Sequence, residues 1–416
     1  MTMASLTPST LPRSVRQPRD GLSIHAATLD RPEVDRERGV VAGRSTRLGT
    51  PRYREDVDGR LRSRILGCLV GGAVGDALGA LDSSASGRQI SAALGLHGVT
   101  EDPSPVHFTD NTQMVLFTCQ ALIRATLELE AVGICDPAQL LHDAYRLWLV
   151  TQGSAFDEVR RADGPRAPSG WLVHEPSLHR RAAPHQPREV LQSGLRGTLS
   201  APLNNSKGCA GVVRAAPAGI MTVGVPVGES PAEAYHLGCE VAAITEGHPN
   251  GIHPAGLLAA LVHVMVAGAG IRDAIDQCRL LAPMSLQREI DAAVRLGSEG
   301  LRDPETLSAE LGAGSTGDEA IAIALACAVG ARSFEEGIMA STTHGGETAS
   351  TGAICGNLLG ALCGDGAVPA RVVSHIESID LVEAVALDVA LVAVDRPSAT
   401  EISPTFAHLF ERYVSE

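Results

Sequence analysis

From Leu61 onward the apolar side chains fall three or four residues apart: Ile65, Leu69, Val70, Ala73, Val74, Ala77 and Leu78 share one stripe, with Gly67, Gly71, Gly72, Gly75 and Gly79 set between them. This spacing predicts a buried helix. The missing Cβ atoms predict neighbours that approach its backbone closely. The same period returns over 112–130, 137–151, 231–244, 254–269, 271–281, 286–301, 318–329, 333–341, 352–362 and 379–394. No run alternates strongly enough to predict a strand. The expected fold class is therefore all-α, a single compact multi-helix domain.

Two stretches break the pattern. Residues 1–58 are rich in Arg, Pro, Ser and Asp without a sustained apolar period, which predicts a disordered tail that cannot offset its ordering entropy. The basic start, Arg13, Arg16 and Arg19 ahead of the first acid at Asp20, reads either as a solvated tail or as an arm that docks onto an unknown protein partner. The helical domain is expected over 59–400, with 401–416 as a C-terminal extension. Residues 152–203, rich in Pro, Arg, His and Ser and anchored by Trp171 and Leu172, predict a long surface excursion of the kind that covers a site.

Composition narrows the classes. Only 3% of the residues are aromatic while 44 are glycine, which suits helices packed through small side chains. A net charge of −14 and the lack of a Lys/Arg stripe argue against nucleic acid as a partner. The nine cysteines are odd in number, widely spaced and free of C-x-x-C pairs, and predict buried thiols in a reducing compartment. The most apolar stretch, 255–270, is short for a membrane span and is interrupted by His263, and the N-terminus lacks a signal-peptide core. These features predict a soluble, cytoplasmic protein with no membrane partner.

Four polar segments interrupt the helical pattern. His107-Phe108-Thr109-Asp110-Asn111-Thr112 precedes an apolar helix, where its oxygens can cap backbone N–H groups or face a hard cation. His344-Gly345-Gly346-Glu347-Thr348-Ala349-Ser350-Thr351 places paired glycines before a cluster of oxygens, as a metal or phosphate loop does and as a plain capped loop also does. Ser206-Lys207-Gly208-Cys209-Ala210-Gly211-Val212-Val213-Arg214 has small residues that admit either a ligand phosphate or a packed helix, and it lacks the G-K-[ST] ending of a Walker loop. Thr245-Glu246-Gly247-His248-Pro249 reads as a turn between helices.

In this order, and preceded by Gly71-Gly72-Ala73-Val74-Gly75-Asp76-Ala77-Leu78-Gly79-Ala80, these segments resemble the ADP-ribosylglycohydrolase family over about residues 61–370, including the relatives that act on ADP-ribosylated dinitrogenase reductase. The resemblance implies a helical domain with a binuclear Mg²⁺ site in a cleft. It implies cleavage of the bond between ADP-ribose and a protein side chain or small molecule, with ADP-ribose or an ADP-ribosylated protein as partner. On this chain it points to Asp110 and Glu347 as catalytic acids. Thr109, Asp110, Asn111, Glu347 and Ser350 would be the metal ligands. Gly208, Cys209, Ala210, Gly211, Glu246, His344, Gly345 and Gly346 would bind the ligand.

The chain departs from the family at those positions. The family's Thr-Asp-Asp-Thr is Thr109-Asp110-Asn111-Thr112 here, and its Gly-Asp-x-Asp-Thr/Ser is Gly346-Glu347-Thr348-Ala349-Ser350. Gly79-Ala80-Leu81-Asp82-Ser83 puts Ser83 where the family commonly has an acid, and Glu246 replaces the first histidine of Thr-His-Gly-His-Pro. Two divalent ions about 4 Å apart repel by roughly 16 kcal/mol at an effective dielectric near 20, so halving the carboxylates leaves at most one weakly held Mg²⁺ or none. The expectation is a catalytically impaired member, a pseudoenzyme with a binding or regulatory role. The alternatives are a metal-dependent hydrolase that removes ADP-ribose, and a structural or assembly protein that docks through its N-terminal tail.

Overall fold

The computed structural model describes residues 51–81, 86–94, 105–160, 170–179, 186–223, 230–301, 304–396 and 403–414. The tail expected over 1–58 lies outside these residues up to position 50, and from Pro51 the chain is already helical. The principal helices are α1 (Pro51–Gly79), α2 (Asp110–Val132), α3 (Pro137–Thr151), α4 (Pro231–Ala243), α5 (Pro249–Val266), α6 (Met284–Ser298), α7 (Gly317–Gly330), α8 (Thr348–Cys363), α9 (Ile379–Ala390) and α10 (Pro404–Tyr413). Among the described residues no strand forms, and the only bridges are Val106 with Ile376 and Gly208 with Thr316.

The architecture turns on the glycine stripe of α1. It meets a second stripe on α8, spaced four residues apart in the same way and running in the opposite direction. A Cβ on Gly360 would lie 1.8 Å from the Gly67 carbonyl oxygen, one on Gly75 would lie 1.9 Å from that of Gly352, and one on Gly79 would lie 2.1 Å from that of Thr348. Backbone therefore rests on backbone along the whole contact, as the i±4 ridges of two helices allow when side chains are absent. Polar ties fix the register. Asn357 Nδ2 donates to the Cys68 carbonyl at 2.7 Å, and Thr348 Oγ1 donates to that of Gly79 at 2.6 Å.

Around this pair runs one large, mostly aliphatic core, with Cys239, Ala243 and Ile252 in a small separate cluster. Helix α5 is the one helix among the described residues long and apolar enough to cross a membrane, yet 83% of it is buried inside the protein, as befits a core helix. It begins five residues earlier than the sequence pattern suggests. His248 caps it by accepting the Asn250 amide on Nδ1 at 3.0 Å, Pro249 takes the first turn, and Pro254 sits within the helix. All nine cysteines are free; six are buried, Cys135 and Cys209 are half-buried and Cys363 is exposed.

The described parts of the excursion over 152–203 carry regular turns. Short helical turns at Phe156–Val159, Leu172–His174, Pro176–His179 and Gln186–Gln192 are pinned by the buried Val159, Leu172, Leu178 and Leu191. The C-terminal segment also joins the body. Leu409 and Tyr413 of α10 are fully buried, and the Arg412 guanidinium lies 3.8 Å over the Trp171 ring.

Candidate functional site

At the C-terminal end of α1 stands Asp76, an acid with no exposed surface. Every partner that satisfies it comes from the segment entering α2. Thr109 donates its amide at 2.8 Å and its hydroxyl at 2.7 Å, and Thr112 donates its amide at 3.2 Å and its hydroxyl at 2.6 Å. Burial still raises the carboxyl above its ordinary range, with these four donors opposing the shift. Thr109 serves twice, because its hydroxyl oxygen also accepts the Asn111 amide at 3.1 Å as the N-cap of α2. The capping reading of this segment thus holds, and the cap is locked to α1 through Asp76.

Asn111 reaches across to the second polar loop. Its Nδ2 stands 3.3 Å from Asp76 Oδ1 and 3.5 Å from Ser350 Oγ. Ser350 in turn accepts the Cys209 thiol at 3.3 Å. The α1–α8 register therefore brings Asp76, Asn111, Ser350 and Cys209 into one chain of contacts, although they come from four separate segments. Burial pushes the Cys209 thiol up to about 11; Ser350 eases the shift, and the nearby Glu347 and Glu246 add to it.

The remaining expected residues divide between rim and interior. Asp110 opens α2 half-buried, and Glu347 is exposed at the N-terminus of α8, where its amide donates to the Ala313 carbonyl at 2.8 Å. Gly345 takes a left-handed φ of +84° in the open, whereas a Cβ on Gly346 would lie 1.9 Å from the Ala313 oxygen. His344 is buried, with Nε2 2.8 Å from Thr351 Oγ1, and burial lowers its pKa to about 4. Gly208, Ala210 and Gly211 surround Cys209, and Gly211 packs on Ala242 and Glu246. Asp82 and Ser83 lie outside the described residues.

Glu246 is buried at the end of α4, and Thr245 Oγ1 donates to its Oε1 at 3.3 Å. Burial raises its carboxyl; the Ser206 hydroxyl, the Arg214 charge, Thr245 and the Gly208 amide work against that rise. Beside the 107–113 segment a pocket of about 250 Å³ opens between His107, Gln113, His179 and Glu377, with the His107 ring against the Glu377 carboxylate.

Sequence reasoning did not single out Asp76, Ser206 or Arg214 as site residues. A lone acid on an otherwise apolar and glycine stripe is the signal that marks Asp76. Nothing local reveals that its donors arrive 33 residues later.

The ADP-ribosylglycohydrolase family model matches residues 58–399 of this chain. A solved structure described as an ADP-ribosylglycohydrolase-related protein complex is similar in fold, with a TM-score of 0.52 at 20% identity, covering 81% of this chain and 99% of its own. No curated protein matches the chain. The chain belongs to the ADP-ribosylglycohydrolase family.

Proposed function

We propose that this member of the family has lost hydrolytic turnover and uses its cleft for binding or regulation. The observation that carries this reading is the position of Asn111. Where the family's first loop has a second carboxylate, an amide donor here stands between Asp76 and Ser350. A carboxylate at that place would repel Asp76 unless a cation lay between them. The amide closes the gap with long contacts to both side chains.

The wider donor set supports the same reading. Ala349 offers no ligand atom, and the Thr109 hydroxyl is engaged by Asp76 and by the Asn111 amide. Among the described residues no three His, Cys, Asp or Glu side chains stand close enough together to hold a metal ion. This set does not fit a binuclear Mg²⁺ centre, which needs bridging carboxylates. The nine free thiols accord with a cytoplasmic setting.

The test is direct. The full chain with added Mg²⁺ is expected to release no ADP-ribose from ADP-ribosyl-arginine or ADP-ribosyl-serine. Turnover that Asp110→Ala abolishes would overturn the proposal. Calorimetric titration with Mg²⁺, Mn²⁺ and Ca²⁺ addresses the one-metal hydrolase separately, since that enzyme requires a saturable heat from one of the three.

A further inference from the structure

The small cluster set apart from the main core lies between α4 and α5, with Tyr235 packed against it. Cys239 follows Tyr235 by four residues on α4, so the two share a face of that helix. Both meet His253 of α5. The Cys239 Sγ stands 4.0 Å from His253 Nδ1, and the Tyr235 hydroxyl stands 3.0 Å from the same nitrogen. The Tyr235 ring stacks on the imidazole, with centroids 6.1 Å apart and planes at 26°. Gly256 makes room for the sulfur, since a Cβ there would lie 2.6 Å from it. Cys239 is buried, whereas His253 and Tyr235 are half-buried and keep the cluster open to solvent on one side.

Thiol and phenol thus converge on one ring nitrogen, the atom through which an imidazole can coordinate. Burial disfavours the protonated ring and so favours the neutral form that carries a lone pair. At 4.0 Å the sulfur and the nitrogen are too far apart for an effective hydrogen bond. The same separation matches two metal–ligand bonds of about 2 Å each laid end to end. Two donors are too few for Zn²⁺, which takes four, and the wrong kind for Mg²⁺ or Ca²⁺, which take oxygen. Thiolate and imidazole in line suit a soft ion of the Cu(I) type. Charge selects the same class, because one thiolate and one monovalent cation make a neutral centre among apolar neighbours.

We infer that Cys239 and His253 form a two-coordinate site for one soft monovalent cation, Cu(I) or Ag(I). Binding breaks the Cys239 S–H bond and forms a sulfur–metal bond. The proton leaves to solvent, Nδ1 supplies the second donor pair, and no oxidation state changes. Burial pushes the free thiol up to about 12, opposed by the Gly256 amide and furthered by Glu240, so the site stays protonated until such an ion displaces the proton. Tyr235 gives up its contact with Nδ1 in the process. The site uses no residue of the cleft, and it stands or falls independently of the proposed function.

The experiment uses the full-length chain carrying Cys363→Ser, which removes the exposed thiol as a competitor. It is titrated without oxygen with Cu(I) against a chromogenic chelator, and the complex at one equivalent is examined by X-ray absorption at the copper edge. One sulfur and one nitrogen in linear coordination are expected. In the same background, Cys239→Ser is expected to weaken binding at least a hundredfold and His253→Gln at least tenfold. Tyr235→Phe, which leaves Nδ1 uncontested, is expected to bind at least as tightly as the background. Coordination by sulfur alone overturns the inference, as does undiminished affinity in either Cys239→Ser or His253→Gln. Should Cys239→Ser fail to fold, the absorption spectrum of the background chain decides: sulfur with nitrogen supports the site, and sulfur alone or no retained copper overturns it.

Discussion

Gly71 and Gly356 stand in backbone contact: a Cβ on Gly356 would lie 2.0 Å from the Gly71 carbonyl oxygen. Real carbon and oxygen atoms do not approach so far, so Gly356→Ala must push α1 and α8 apart. Because that contact sets where Asp76 and Ser350 stand, the strain reaches the site as well. A loss of about 3 kcal/mol or more is expected in urea denaturation, comparable to overpacking a rigid core. Gly59, exposed on the same α1 helix with nothing within 4 Å of its Cβ position, gives the opposite sign. Gly59→Ala is expected to stabilise by about 0.5 to 1 kcal/mol.

His344 makes stability depend on pH in a calculable direction. Burial lowers its pKa to about 4 from an ordinary 6.5, so the unfolded chain binds the proton more readily than the folded one. Its contribution is fully present above pH 6.5 and is lost as the pH falls toward 4. The expected loss over that window is about 2 to 3 kcal/mol. Glutamine can keep a contact with the Thr351 hydroxyl without titrating. The difference in unfolding free energy between the unaltered chain and His344→Gln, followed from pH 7 to 4.5, should therefore isolate this slope.

Cys209 lies beside the cleft and is nonetheless expected to be slow to react. With its thiol pushed up to about 11 by burial, and further by Glu347 and Glu246 against the easing contact with Ser350, thiolate is scarce at neutral pH. Mass spectrometry of the native protein under limiting iodoacetamide at pH 7.5 should find the exposed Cys363 labelled well before Cys209. Glu347→Gln removes one of the two carboxylates that raise the thiol and is expected to quicken Cys209 labelling severalfold.

The order of helices was legible in the sequence because each carries its own apolar period; their pairing was not. The stripes of Gly67, Gly71, Gly75 and Gly79 and of Gly352, Gly356 and Gly360 each announce a close neighbour, but a glycine has no side chain with which to specify a partner. Thr109 illustrates the limit at the site. Its position before an apolar helix admitted both a cap and a cation ligand, and only the approach of Asp76 from α1 shows how its hydroxyl is engaged. Pro254 misled in another way. As a usual helix breaker it suggested a start, whereas His248 and Pro249 had already opened the helix that contains it.

Restoring the family's acids should restore an ion, and the order of restoration is informative. Asn111→Asp alone replaces the amide donor between Asp76 and Ser350 with a negative charge next to a buried carboxylate. Without metal it is expected to cost about 1 to 3 kcal/mol, the penalty of leaving buried polar groups unmatched. Adding Glu347→Asp and Ala349→Asp returns the second loop to the family's pattern, so that two new carboxylates and one shortened acid surround the gap that Asn111 now closes. Mg²⁺ then supplies the charge that makes them compatible. The triple variant is expected to bind Mg²⁺ at least tenfold more tightly than the unaltered chain. Binding to the folded state alone stabilises by about 2.7 kcal/mol once the ion reaches a hundredfold excess over its dissociation constant. Calorimetry and thermal melting with and without Mg²⁺ read both effects. A triple variant that melts lower and gains no Mg²⁺ affinity would place the obstacle in the backbone of the two loops, rather than in the charges these substitutions return.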